Sequence, residues 1–347
     1  MRDQTLTTQM QEILKRLSLL EEKYAGLGQD MLSYLEGLYY SNGLTYWEYI
    51  HLDSLLGLQQ PRTPFKDEVV FIVYHQMTEL IFKLIKLEID SLTQDRGDES
   101  EYLRPEAWLR RTGRCVNYFR HLSNSFDIML SGMDTEELRK FRMALLPASG
   151  FQSVQFREIE IMSSSLEQLV RGGLPEEDSL SIEELYPHLY WKQGGIDLET
   201  GKKTITLTAF EQRYDEELIQ LLHRFETRNL YYLFMQARPE IRQHAGIIAL
   251  LREYDLHANV YWKLSHLSAA SRHLRTIEGG AIEATGGTNW RSFLPPRFQR
   301  VVFFPSLWSQ EELDDWGKAA VVKQFQAQIA RHWMQGSAPV QDDEAGR

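Results

Sequence analysis

The stretch from Asp67 to Leu92, DEVVFIVYHQMTELIFKLIKLEIDSL, constrains the fold of this chain more than any other. Between Val69 and Thr78 it carries no charged residue, so at about 3.6 residues per turn nearly three helical turns are apolar or neutral on every side. Such a helix is expected to be buried. Phe71 and His75 stand four apart within it, and Thr78 and Glu79 continue their face, so an aromatic ring and an imidazole point into one interior space. Taken alone, His75 reads as a core histidine satisfied by its neighbours. Other stretches give it a different meaning.

With 347 residues and 43% apolar content, the chain can bury a large core in one or two domains. A formal net charge of -11 argues against a phosphate-tracking surface, and no segment interleaves Lys and Arg with aromatics, so nucleic acid is an unfavourable partner. The N-terminal MRDQTLTTQMQEILKRLSLLEEKY breaks its apolar residues with charges and lacks the core of a signal peptide. No run reaches the roughly 20 apolar residues needed to cross a bilayer. The single cysteine, Cys115, permits no internal disulfide, which fits a reducing cytoplasm. Aromatic residues make up 12% of the chain, which suits a protein enclosing something flat and apolar.

Helical spacing runs through Gln9–Leu38, with Ile13, Leu17 and Leu20 on one stripe. After Ser41-Asn42-Gly43, the segment LTYWEYIHLDSLLGLQQ sets Tyr46, Tyr49, Ile50 and Asp53 at three- and four-residue steps on one expected face. Residues 1–43 form an expected N-terminal helical segment, 44–333 a single all-helical domain, and 334–347 a frayed tail. Pro105–Leu130 reads as an amphipathic helix. In MDTEELRKFRMALLPASGFQSVQFREIEIM, Asp134 or Thr135 can cap a short helix whose inner face holds Leu138, Phe141, Arg142 and Leu145. A guanidinium in that setting needs an anionic partner, either an internal carboxylate or a ligand. The small-residue turn Pro147-Ala148-Ser149-Gly150 lets backbone approach a ligand closely, which makes Ser149 and Gly150 candidate cofactor contacts. Residues 171–204 read as a loop-rich excursion, ending in an expected brief strand at Thr204–Leu207. Long helices resume over Ala209–Gln236 and Arg238–Leu274.

Among the ten histidines, His266 is the preferred cofactor ligand. It lies in VYWKLSHLSAASRHL, where Ser265, Ser268, Ala269 and Ala270 thin the helix surface enough for a flat ring to lie against it. His257 and His273 are its competitors. Neither His75 nor His266 sits in a spacing that would assemble zinc or non-haem iron. The loop GGAIEATGGTNW, Gly279–Trp290, is neither a P-loop nor a dinucleotide-binding turn; it is either a surface turn or a lid whose threonines grip a polar substrate end.

The segments LTYWEYIHLDSLLGLQQP, DEVVFIVYHQMTEL, FRMALLPASGFQSVQFR and the TGGT loop, in this order, resemble the tryptophan 2,3-dioxygenase family over roughly Leu44–Pro305. The resemblance implies an all-α, helical-bundle haem b enzyme that inserts both atoms of O2 across the indole C2–C3 bond of L-tryptophan, giving N-formyl-L-kynurenine. It also implies a cytoplasmic homotetramer, a dimer of dimers. Phe71 and His75 would form the distal pair, with His75 accepting from the indole N–H. Arg142 would bind the substrate carboxylate and Thr285 the ammonium. His266 would be the axial iron ligand. Tyr46, Tyr49 and Ile50 would reach into the neighbouring subunit's pocket.

Three departures stand out. Leu138 occupies a substrate-pocket position, one turn before Arg142, where the family usually has tyrosine or another aromatic residue. Lys263 and Ser265 replace arginines before His266. The spacing from His266 to Thr285 is a few residues longer than usual. They motivate an alternative, a haem-dependent monooxygenase acting on tryptophan or another aromatic amino acid. A haem sensor or carrier is a further reading, in which Arg142 would have no purpose.

Overall fold

The computed structural model describes residues 2–145, 148–170, 180–197, 200–273 and 300–322. Helices account for nearly all regular structure there, and only isolated β-bridges occur, at Arg96–Asp98, Val170–Leu189 and Ile196–Lys203. The helices are α1 (Arg2–Gly26), α2 (Met31–Tyr40), α3 (Tyr46–Tyr49), α4 (Leu52–Leu56), α5 (Asp67–Thr93), α6 (Pro105–Ser131), α7 (Thr135–Phe141), α8 (Val154–Ser163) and α9 (Leu166–Leu169). They continue with α10 (Ile182–Leu185), α11 (Tyr190–Gln193), α12 (Ile205–Phe225), α13 (Leu230–Gln236), α14 (Pro239–Arg242), α15 (Ala245–Leu256), α16 (Trp262–His273) and α17 (Gln310–Asp314). The all-α expectation holds.

The chain divides into two compact units, Met1–Gln60 and Pro61–Arg347. The break falls at the proline-rich Pro61–Pro64 segment, past the 43/44 boundary read from the sequence, because α3 and α4 pack with each other. In the first unit, the helix expected over Gln9–Leu38 is two helices. Gly28 takes a positive φ of 66°, and the Asp30 carboxylate accepts from the Leu32 and Ser33 amides to start α2. Tyr24 and Tyr34 then stack with ring centroids 4.5 Å apart. The single face expected for Tyr46 through Asp53 is also interrupted: His51 adopts φ 53°, a left-handed turn between α3 and α4. No described residue of this unit is buried.

In the second unit, α5 packs against α6 and α8, and α15 and α16 close over α6. The main core gathers Phe82, Ile85, Trp108, Phe119, Leu122, Phe210, Tyr254, Phe303 and Phe304. Buried Glu88 on α5 accepts from Arg111 at 2.7 Å and Arg114 at 3.0 Å on α6, tying the two longest helices of this unit. Glu68 receives the Arg62 and Thr63 amides and so fixes the chain entering α5. Two helix starts are stitched reciprocally, Asp134 N–H to the Asp67 carboxylate and Asp67 N–H to the Glu137 carboxylate.

Three expectations are corrected. Thr204–Leu207 is no strand but the start of α12: the Thr204 hydroxyl accepts the Leu207 amide and caps the helix. The helix read over Ala209–Gln236 breaks at Asn229, which caps α13. Finally, α5 is buried on one side only; Val73 and Leu80 on its opposite side are 47% and 53% exposed.

Candidate functional site

Beside the main core lies a second apolar cluster, in which Tyr74, Phe126, Met129, Leu138, Phe141 and Ala269 are buried and Phe71 and Trp262 are half-buried. It joins α5, α6, α7 and α16, and it brings together the principal residues singled out in the sequence. The Phe71 and His75 rings lie 4.1 Å apart at 34°. His75 Nδ1 sits 2.7 Å from the Phe71 carbonyl oxygen. A carbonyl only accepts, so Nδ1 carries the proton and Nε2 keeps its lone pair. Burial holds the His75 pKa below the usual histidine range, opposed by the Phe71 carbonyl and by Glu79. The imidazole is therefore neutral, with one nitrogen free to accept.

From His75 an aromatic path leads to α16. Tyr74 packs on Phe126 at 5.5 Å, and Phe126 meets the His266 ring edge-on at 5.9 Å. His266 combines two properties. Burial lowers its pKa to about 4, with the charge of His75 adding to the effect, yet its outer surface is exposed. Surrounding protein keeps the ring neutral while part of the residue stays accessible. It makes no hydrogen bond to the described residues.

A neutral, partly accessible imidazole with an available nitrogen is the donor a haem iron requires, and the aromatic neighbours suit a porphyrin. His273 does not qualify, because Thr135 Oγ1 and the Met129 carbonyl engage both its nitrogens at 2.9 and 2.7 Å. His257 lies in a π-helical segment, His257–Tyr261, with Nδ1 buried and no hydrogen-bond partner there. This π segment aims His266. Asp255 and His266 are eleven residues apart and would share one face of an uninterrupted helix; the wider turn rotates α16 by roughly a quarter turn. Asp255 consequently serves the main core, where its carboxylate accepts the Phe303 and Phe304 amides at 2.6 and 3.0 Å, the Trp308 indole at 3.1 Å and Asn259 at 3.0 Å.

Arg142 closes α7, 8% exposed, beside fully buried Phe141 and in contact with the Met143 sulfur at 3.7 Å. Leu138, one turn earlier, is buried in the same cluster. Ser149 and Gly150 begin the short turn leading into α8, and a Cβ on Gly150 would meet nothing within 4 Å. Gln155, at the start of α8, donates to Glu79, one turn past His75. Lys263 points elsewhere: it is buried with its ammonium over the Tyr190 ring at 5.0 Å, among Glu160 and Arg157. Tyr46 and Tyr49 are 70% and 75% exposed, and Ile50 is half-buried. Thr285 and the rest of the Gly279–Trp290 loop lie outside the described residues, as does the 334–347 tail.

Sequence reasoning passed over Phe126, which touches both Tyr74 and His266, and Asp255. The three- and four-residue spacing of Phe119, Leu122, Phe126 and Met129 marks Phe126 as inward-facing. Little local marks Asp255, whose partners apart from Asn259 lie about fifty residues away.

The family model described as tryptophan 2,3-dioxygenase matches residues 37–169. Relatives bearing that name are found in Bradyrhizobium diazoefficiens, 27% identical over 78% of this chain and 92% of the relative, and in Herpetosiphon aurantiacus, 28% identical over 78% and 98%. A third, from a Nocardioides species, is 29% identical over 76% of this chain and 92% of its own. The match takes in Phe71, His75, Leu138 and Arg142, and over about three quarters of its length the chain is similar to tryptophan 2,3-dioxygenases.

Proposed function

We propose that this protein is a haem-dependent dioxygenase that opens the indole ring of L-tryptophan with O2 to give N-formyl-L-kynurenine. The observation that carries the reading is the pairing of two neutral histidines, His75 and His266, at either end of the aromatic path through Tyr74 and Phe126, with buried Arg142 next to Phe141 of the same cluster. His266 would hold haem b, with Ser149 and Gly150 as further contacts, and the haem would supply the activation of O2. His75 Nε2 accepts the indole N–H and orients the ring against Phe71. Arg142 pairs with the carboxylate, and Thr285 holds the ammonium. No strong base is called for, which agrees with a His75 whose pKa is depressed by burial. The protein acts as a cytoplasmic homotetramer, a dimer of dimers, with Tyr46, Tyr49 and Ile50 of each copy completing a neighbour's pocket.

Buried Leu138 favours a second reading. It offers no hydroxyl to the substrate's polar end, so a looser amino-acid pose could lead to monooxygenation of tryptophan or another aromatic amino acid. Aerobic incubation of the haem-loaded protein with L-tryptophan and with L-tyrosine, followed by product mass, separates the two. Dioxygenation adds two oxygen atoms to tryptophan, and monooxygenation adds one. Haem retention without amino-acid-dependent O2 uptake would reject both.

A further inference from the structure

Helix α7 is seven residues long, and a helix that short is not stable by itself, so its place is set by what ties it down. At its first turn it is held to α5 through Asp67, whose carboxylate accepts the Asp134 amide. A second tie at the same turn runs to α16 through His273, which is 2% exposed. His273 Nε2 lies 2.7 Å from the Met129 carbonyl oxygen near the end of α6, and Nδ1 lies 2.9 Å from Thr135 Oγ1. A carbonyl only accepts, so Nε2 carries the proton. Burial holds the His273 pKa below the usual histidine range, with Arg272 and Arg139 adding to the effect against the Met129 carbonyl and Asp134. The ring is therefore neutral, and Nδ1 accepts from the Thr135 hydroxyl. Arg139 adds a further bond from α7, donating to the His273 carbonyl oxygen at 3.4 Å.

Spacing extends the reach of this contact. Thr135 and Arg142 are seven residues apart, as are His266 and His273, and at about 100° per residue seven steps return to within about 20° of the starting side. Arg142 therefore leaves the chain on the side of α7 that meets His273, and His266 leaves α16 on the side that meets Thr135. Leu138 and Ala269, which lie between these positions in sequence, are buried in one apolar cluster. We propose that His273 is a positioning residue: by bonding α6, α7 and α16 at one point, it sets where the Arg142 guanidinium stands relative to His266. This role rests on the reading above, in which Arg142 anchors the substrate carboxylate and His266 holds the haem. The strap then fixes the span between the substrate's acid group and the cofactor, and small misplacements of an anchor are costly to a bound geometry. It bears on amino-acid binding and leaves haem binding to His266.

Phenylglyoxal labelling of the full chain, with and without hemin, tests the proposal, read at each arginine by peptide mass. Arg142 is 8% exposed and should react slowly in wild type. In His273→Ala and in Thr135→Val it should react roughly threefold to tenfold faster, and the double variant should be no faster than His273→Ala. His273→Gln keeps a donor and an acceptor and should return most of the protection. Arg157, paired with Glu160 on α8, should stay protected throughout, which shows the rest of the fold intact. Thr135→Val removes one hydroxyl, and it decides the matter if His273→Ala does not fold. Anaerobic titration reads the consequence: L-tryptophan should bind roughly threefold to tenfold more weakly to Thr135→Val, while tryptamine, which lacks the carboxylate, and hemin bind as to wild type. Unchanged Arg142 labelling in the variants, equal loss of protection at Arg157, or an unchanged L-tryptophan affinity once Arg142 is freed would overturn the proposal. A wild type that binds neither hemin nor L-tryptophan while Arg142 labelling responds as expected counts against the enzymatic reading and leaves the strap standing.

Discussion

Phe71 and His75 share one turn of α5 so closely that the Phe71 carbonyl takes the His75 Nδ1 proton at 2.7 Å while the two rings lie 4.1 Å apart. The backbone thereby selects the imidazole tautomer and leaves the Nε2 lone pair available to accept a hydrogen bond. Replacing His75 with alanine removes one neutral hydrogen bond, a loss of about 0.5–1.5 kcal/mol. The expected result is a kcat/KM for L-tryptophan lower by roughly threefold to tenfold, with turnover retained. Abolished turnover with intact haem binding would make His75 a chemical participant instead.

His266→Ala should leave the helices in place and remove the haem. Loss of an axial ligand should cost more affinity than the roughly 10–100-fold that follows loss of an outer partner. Titration with hemin, followed by its absorbance, measures this, and added imidazole should restore a ligated spectrum. A wild-type spectrum in the variant would move the assignment to another histidine.

Arg142→Met keeps the bulk of the side chain and removes its charge. If Arg142 pairs with the substrate carboxylate, about 1.5–3 kcal/mol of binding disappears. KM for L-tryptophan then rises on the order of 10–100-fold, and indole analogues without a carboxylate are less affected. Equal losses for both ligands would assign Arg142 a purely structural part.

Acid should destabilise the haem-free protein. Burial lowers the pKa of both His257 and His266 to about 4. Between about pH 6.5 and 4 the unfolded chain therefore binds protons that the folded chain refuses, so stability falls as pH falls through that window and their contribution levels off below it. Asp255, raised to about 6 by burial, has the opposite sign from about pH 6 down to its unfolded value. Urea unfolding of wild type and His257→Gln at pH 7 and 5 isolates the histidine part: the variant should show the shallower loss.

Asp255→Asn should destabilise the fold without touching His75 or His266. The carboxylate accepts from two backbone amides, an indole and Asn259. An asparagine places an NH2 group against one of these donors, leaving a buried clash worth about 1–3 kcal/mol. The denaturation midpoint should drop while haem affinity in the folded protein holds.

Local chemistry dictated much of this protein. The uncharged run in α5 sets a long helix with Phe71 and His75 on one face, and Asp134 caps the helix ending at Arg142, because periodicity and capping act over one or two turns. The segments that resemble the dioxygenase family are likewise contiguous, so the resemblance was legible before any coordinates. Other features needed the tertiary structure. Gly28 and His51 break helices that spacing alone would continue, and Thr204 begins a helix where alternation suggested a strand. The π segment turns His266 into the second cluster and Asp255 toward Phe303, a rotation no residue pattern announces. The side of α5 left open, too, is decided only when the other helices have taken their places, since an apolar run states what must be covered and long-range packing states by what.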